Sequence, residues 1–409
     1  MKRTLLFLDY WSLHEPLTQA TVLPTLRMLL EEELAERVLL VTVERGPKAV
    51  SRASALGPGL EHVPLIAHDL GLKPLARALD LLKIVPRVSA IAREQDARFL
   101  MARGVVAGGF AHFVHRRTGI PYAVDYFEPH NDYMTDVGEW TKGGLLDRGL
   151  SSLIRSQQRT AQYCVCVTRN YRERLVAMGA NKDRLLVAPC PVDEQKMHFD
   201  PEQRARIRAE LRWSDGVIAV YAGKFGGLYH REHAFRAFAE AQRIVGDGFG
   251  LVLLTPHPED EVRSGLRSAG YVGDRVLVKY AEHHEVPAYL SASDIAFAPY
   301  RGTISSACIS PMKIGEYWAN GLPVLLTRGV GDDSAIIEQD PYAGAVFDPE
   351  GSDLPSAMLS VLRTIAQKDQ RIRTSHLATK YRSMDRTREA YRTILGNAWG
   401  TVHLAEQSR

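Results

Sequence analysis

The stretch from Ser305 to Thr327, SSACISPMKIGEYWANGLPVLLT, constrains this chain more than any other. It reads as loop, helix, turn and buried strand in quick succession. Ser305, Ser306 and Ser310 are small polar residues suited to a loop or a helix N-cap. Pro311 fits a first helical turn, where its missing N–H costs nothing. Lys313, Ile314, Glu316, Tyr317 and Trp318 follow at helical spacing. Asn320-Gly321 stops the helix, because both residues tolerate the left-handed backbone of a helix C-terminus. Pro323 then opens a short strand of Val324, Leu325 and Leu326. Free N–H groups and the positive dipole end of such a helix suit a nucleoside diphosphate. Ser310 and Lys313 would face the diphosphate, and Glu316 would accept hydrogen bonds from ribose hydroxyls. The spacing equally describes an ordinary α/β crossover helix with no ligand.

The rest of the chain repeats one theme, strand then helix. Thr4 to Leu8 and Arg37 to Glu44 are apolar runs that predict strands, with a helix from about Thr21 to Ala35 between them. Val217 to Ala222, Gly250 to Thr255, Arg275 to Tyr280 and Ile295 to Pro299 predict a second series. Between the two lies a linker marked by Pro189, Pro191, Asp193, Asp200 and Pro201. The expected domains are residues 1–197, residues 198–385 and a helical tail at 386–409 that packs back on the first. The expected class is α/β with two Rossmann-like domains facing a central cleft. A length of 409 residues accommodates this.

Ligands in open α/β sheets lie beyond the carboxyl ends of strands. That places Tyr10 and Trp11, after the first strand, among candidate acceptor contacts. It also selects the loop Tyr126-Phe-Glu-Pro-His-Asn-Asp-Tyr133. There His130 is the candidate for chemistry, with Asp125 and Glu128 as candidates for acceptor binding or proton acceptance. In the second half Gly223 and Lys224 follow a strand, and a glycine there lets a phosphate approach backbone N–H groups. Arg231, a little further on, is a second candidate cation.

Several classes are excluded. A net charge of +3 is too small for a nucleic-acid partner without a concentrated patch. No Gly-x-Gly-x-x-Gly follows the first strand, which argues against a dinucleotide cofactor. Cys164, Cys166, Cys190 and Cys308 show no metal spacing, and Cys164-x-Cys166, in the apolar run Tyr163 to Val167, reads as reduced, buried strand residues of a cytoplasmic protein. No Asp-x-Asp pair occurs, and neither a metal nor another cofactor is expected. No run reaches the length of a membrane span. Residues 72–103 predict a basic helix carrying Lys73, Arg77, Lys83, Arg87, Arg93, Arg98 and Arg103. That helix reads either as a solvated face or as a peripheral contact with anionic lipid at the inner face of the plasma membrane.

Ser310, Pro311, Lys313, Glu316, Tyr317, Ala319, Gly321, Pro323 and Val324 also resemble the donor segment of family-4 glycosyltransferases. The branch resembled reads Ser-Pro-x-Lys-x-x-Glu-Tyr-x-Ala-x-Gly-x-Pro-Val. Glu316 matches the second of that family's two acids, and the first falls at Cys308. The resemblance is strongest from 217 to 345 and implies a GT-B fold with a retaining reaction on a nucleotide sugar. It implies Lys224 as the first of two cations at the diphosphate, with Arg231 offered for the second. By region rather than by motif, it places His130 near the reacting sugar. A carbohydrate, lipid-linked or small-molecule acceptor follows, in bacterial polysaccharide or glycoconjugate assembly. Two other readings share the fold: a nucleotide-sugar 2-epimerase, and a non-catalytic nucleotide-sugar-binding protein motivated by the missing acid at Cys308.

Overall fold

A computed structural model describes residues 2–45, 50, 52–67 and 73–407. The chain divides into two compact units, Met1–Pro189 with Asp385–Arg409, and Cys190–Met384.

The first unit is built on eight strands: β1 (Thr4–Asp9), β2 (Arg37–Glu44), β3 (Ser54–Gly57), β4 (Leu60–Ile66), β5 (Phe99–Arg103), β6 (Tyr122–Tyr126), β7 (Tyr163–Cys166) and β8 (Leu185–Val187). They lie in the order β3-β4-β2-β1-β5-β6-β7-β8, and every pairing is parallel except β3 with β4. β1 is buried at every position, as a strand covered on both faces by helices must be. The chain leaves β1 toward β2 and returns to β5 on its other side, so the sheet has its switch point between β1 and β5. Leu5 faces Phe99 and Asp9 faces Arg103 across that junction. The helix Met384–Gln407 packs on this unit. Trp399 Nε1 donates to the Leu34 carbonyl at 2.7 Å, Asn397 bonds the Tyr163 hydroxyl at 2.6 Å, and Arg388 and Arg392 both pair with Glu32.

The second unit carries β9 (Val217–Ala222), β10 (Phe249–Leu254), β11 (Val276–Lys279), β12 (Ile295–Ala298), β13 (Val324–Thr327) and β14 (Gly344–Phe347). Their order is β11-β10-β9-β12-β13-β14, all parallel, and the switch point lies between β9 and β12. Its core is aromatic on one side of the sheet, where Phe235 and Phe238 of the helix Arg231–Val245 meet Tyr221, Phe225 and Phe297.

Four expectations change. The basic helix ends at Glu94, and Phe99–Arg103 is the buried strand β5, so Arg98 and Arg103 leave the helix face. The helix expected from Thr21 begins as a π-turn over Thr18–Val22 and runs as an α-helix only over Leu23–Glu31. His130 opens a helix, His130–Asp136, within what the sequence presents as a loop. Pro311 keeps an extended backbone as the N-cap, and the helix proper is Met312–Ala319. Gly321 then sits at φ +70°, where a Cβ would lie 2.7 Å from the Arg371 carbonyl oxygen, so only glycine makes this turn.

Candidate functional site

In the second unit the helix Met312–Ala319 is pinned beside the β9/β12 switch point. The Ala222 N–H at the end of β9 donates to the Tyr317 hydroxyl at 2.8 Å. Trp318 Nε1 donates to the Ala343 carbonyl at 2.9 Å. The helix start is held by a buried polar cluster. Ser310 Oγ accepts from the Cys190 N–H at 3.1 Å and from the Arg382 guanidinium, which also pairs with both oxygens of buried Asp333 at 2.5 Å. The Ser310 hydroxyl thus accepts twice within the protein and ties the N-terminus of the helix to Cys190 and Arg382.

Lys313 and Glu316 are one helical turn apart. Lys313 lies against the end of β9: a Cβ placed on Gly223 would sit 2.8 Å from its Nζ. Gly223 has φ +138°, a second reason for glycine there. Nζ stands 4.5 Å from the ring centroid of Tyr221, 4.0 Å from that of Tyr229 and 5.8 Å from that of Tyr300. It is buried and has no hydrogen-bond partner. Burial pushes the lysine down to about 7, against the opposing pull of Glu316. Glu316 Oε1 lies 3.4 Å from His283 Nε2, a contact that raises the histidine above its ordinary value. His283 sits in the loop after β11, 61% exposed, and was not among the residues expected from sequence. Gly223, Lys313, Glu316 and His283 thus gather at the carboxyl ends of the strands.

Lys224 is exposed beside them, and its carbonyl accepts the Tyr221 hydroxyl at 2.6 Å. Arg231 is placed differently. Its guanidinium pairs with Glu261 on the helix Glu259–Ser268 and lies 5.4 Å over the Phe235 ring. Cys308, where the resemblance has an acid, is buried in the turn Ser306–Cys308.

In the first unit one pocket is lined by Tyr10 and Trp11 after β1, Arg103 and Gly104 at the end of β5, and Phe127, Glu128 and His130 after β6. These are the strands at and beside the switch point. Trp11 is 41% exposed, and its backbone N–H donates to Asp9 at 3.1 Å. Burial pushes Asp9 up to about 6, a rise restrained by that bond, by Arg103 and by Thr18. Arg45 bonds the Tyr10 hydroxyl and Asp80 together. Asp125 lies behind the pocket wall, paired with Arg103 at 2.7 Å, and burial raises its carboxyl above the ordinary range. Arg103, read from sequence as one more basic helix residue, is the pocket's cation; only the β5 boundary reveals it. His130 Nδ1 donates to Glu128 at 2.8 Å, and the ring stacks on Tyr133 and meets Trp140 edge-on. An Nδ1–H held by a carboxylate leaves the lone pair on Nε2, the tautomer of an acceptor or base.

Among the described residues no group of three or more His, Cys, Asp or Glu is placed to hold a metal ion. None of the described helices is long and apolar enough to cross a membrane.

Two family models match the chain, a glycosyl transferase 4-like domain over residues 25–191 and a glycosyl transferases group 1 domain over 219–364. The chain belongs to the family-4-like GT-B glycosyltransferases. Solved structures agree on the fold of this glycosyltransferase. Sucrose-phosphate synthase from Thermosynechococcus elongatus is 15% identical, with a TM-score of 0.74 over 98% of this chain and 100% of that one. HepE of Anabaena, in complex with UDP-glucose, is 14% identical, with a TM-score of 0.67 over 98% and 99%. A trehalose-6-phosphate protein from E. coli, bound with UDP-2-fluoro glucose, is 10% identical, with a TM-score of 0.69 over 96% and 98%. No curated protein matches the chain by sequence.

Proposed function

We propose that this glycosyltransferase takes its sugar from a nucleotide-diphosphate donor bound in the Cys190–Met384 unit and transfers it with retention to an acceptor hydroxyl. The bond from the anomeric carbon to the diphosphate breaks, the diphosphate leaves with the electron pair, and the acceptor oxygen bonds the same carbon as its proton passes to the departing diphosphate. The observation that carries this reading is the gathering of Gly223, Lys313 and Glu316 at the β9/β12 switch point. It sets an open backbone, a cation and a carboxylate where an α/β sheet binds nucleotides. Glu316 takes the ribose hydroxyls. Lys224 and the helix start at Met312 offset charge on the leaving diphosphate, as protein cations and fixed dipoles do in such transfers. The UDP-sugar complexes of two structural neighbours support a nucleoside diphosphate as the carrier.

Glu316→Ala is expected to weaken binding of the preferred nucleoside diphosphate by about 10- to 100-fold, the size of a charged hydrogen-bond pair lost. Calorimetric titration of wild type and variant across UDP, GDP, ADP and CDP reads it. Wild-type binding to none of the four at millimolar concentration overturns the donor reading, and equal affinities remove the ribose contact.

The acceptor side is the pocket of Tyr10, Trp11, Glu128 and His130, in a carbohydrate or lipid-linked substrate of bacterial polysaccharide or glycoconjugate assembly. Peripheral membrane contact is part of this proposal. Leu82, 72% exposed, lines a cleft with Val85, Pro86, Phe113, Arg116 and Arg117, and Lys83 and Arg87 lie exposed on the same helix as Leu82. Apolar side chains flanked by arginines and lysines suit an anionic lipid surface. Sedimentation with phosphatidylglycerol vesicles is expected to drop at least several-fold for Leu82→Asp with Phe113→Asp. Equal recovery of the two proteins sinks the membrane contact.

A further inference from the structure

Lys313 is unusual among the cations of its unit. Arg204 and Arg208 share Asp294, Arg382 has Asp333, and Arg231 has Glu261. Lys313 Nζ has neither an ion pair nor a hydrogen bond, although it is shut off from solvent. Three tyrosine rings surround it instead, Tyr221 from β9, Tyr229 from the following loop and Tyr300 from the loop after β12. The charged groups that bear on it are Glu316 on its own helix and, through Glu316, His283. An unpaired buried ammonium is a costly arrangement. A fold keeps one at a nucleotide site when an anion completes it. Only the missing side chain of Gly223 separates Nζ from the backbone at the end of β9, and the stem of Lys313 is partly exposed, so the group has a path outward.

Resting on the donor reading above, we propose that Lys313 is the counter-charge of the donor diphosphate, stored in the tyrosine cage, and that nucleotide binding takes up one proton at its Nζ. In the free protein burial holds the amine near neutrality at ordinary pH, with its pKa pushed down to about 7. A diphosphate beside it supplies the negative charge the cage lacks and restores the ammonium. The protonated fraction of the free site falls tenfold per pH unit above that range, and apparent affinity falls with it. No proton need be lost by the nucleotide itself at pH 8, where a terminal phosphate with a second pKa of about 6 is already ionised.

Titration calorimetry of the full chain with UDP, GDP, ADP and CDP at pH 8, in PIPES and in Tris, reads the proton count directly. For whichever nucleotide binds, the heats are expected to differ between buffers by close to one proton taken up. From pH 7.5 to 9 affinity is expected to fall by nearly tenfold per unit. Lys313→Arg, always charged, is expected to bind with no proton exchange and a flat pH profile. Lys313→Met is expected to bind at least tenfold more weakly, with no exchange, while its unliganded form melts higher than wild type because no lysine then has to give up its charge on folding. Gly223→Ala is expected to bind more weakly and to keep Lys313 caged. Equal heats in both buffers, or unchanged proton uptake in Lys313→Arg, overturns the proposal while nucleotide binding, weakened by Glu316→Ala, keeps the donor site. A wild type that binds none of the four nucleotides overturns both.

Discussion

Arg382→Ala is expected to destabilise the protein by about 3–5 kcal/mol, the loss measured when one partner of a buried ion pair is removed. Arg382 is 2% exposed and bonds both oxygens of Asp333, the Ser310 hydroxyl and the Cys190 carbonyl. Its removal leaves a carboxylate in the interior with no counter-charge. For a unit of this size the loss corresponds to a fall in Tm on the order of 10 °C. The deficit depends on pH in a defined direction. Burial already raises the Asp333 carboxyl, and Arg382 is the main influence holding it down. Without the arginine the carboxyl protonates more readily, so the variant loses less at pH 5 than at pH 8. Urea denaturation at the two pH values tests this. Arg382→Met combined with Asp333→Leu is expected to recover most of the stability, because an apolar pair in place of a buried ion pair is often neutral. A deficit below about 1 kcal/mol for Arg382→Ala would show that water reaches Asp333 and that the cluster does not anchor the helix at Ser310.

That cluster also shows where sequence reasoning stops. The spacing of Lys313 and Glu316 is a local fact, and the helix Met312–Ala319 forms where the local pattern puts it. What Ser310 does is not local: its partner lies 72 residues away, in a helix whose pattern offers no sign of the pairing. The tyrosine cage is hidden for the same reason, since Tyr221, Tyr229 and Tyr300 come from three elements joined only by the sheet. Buried parallel strands are the opposite case. Val38–Val43, broken only by Thr42, and Val217–Ala222 are apolar runs and are legible as such. Leu60–Ile66 is not, because Glu61, His62 and Pro64 break the run. His62 is nonetheless fully buried, bonded to Thr42 at 2.8 Å beside Glu44. Arg103 was lost to pattern continuity. The basic residues of the helix Lys73–Glu94 run on at similar spacing into β5, and periodicity alone does not mark the break.

His130→Ala is expected to lower turnover by about 10²- to 10⁴-fold, the range of a positioned acid–base or polarising side chain, with nucleotide affinity changed less than twofold. The expectation rests on how the ring is held. Glu128 accepts the Nδ1–H hydrogen bond, and Tyr133 and Trp140 fix the ring plane, so Nε2 is presented in one tautomer and one orientation. A histidine with only a structural role would make the same contacts, and the two roles separate in Glu128. Glu128→Gln keeps the size of the side chain but turns a charged acceptor into an amide that binds either tautomer. If the ring acts on the reacting sugar, this variant loses turnover by about tenfold at unchanged Tm, a little over 1 kcal/mol of transition-state stabilisation. If the ring only packs, Glu128→Gln and His130→Asn lose stability and leave kcat per folded molecule unchanged. Steady-state kinetics beside thermal melts of the three variants decide between them. A fully active His130→Ala removes the residue from the chemistry and shifts attention to Arg103, the one cation lining that pocket among the described residues.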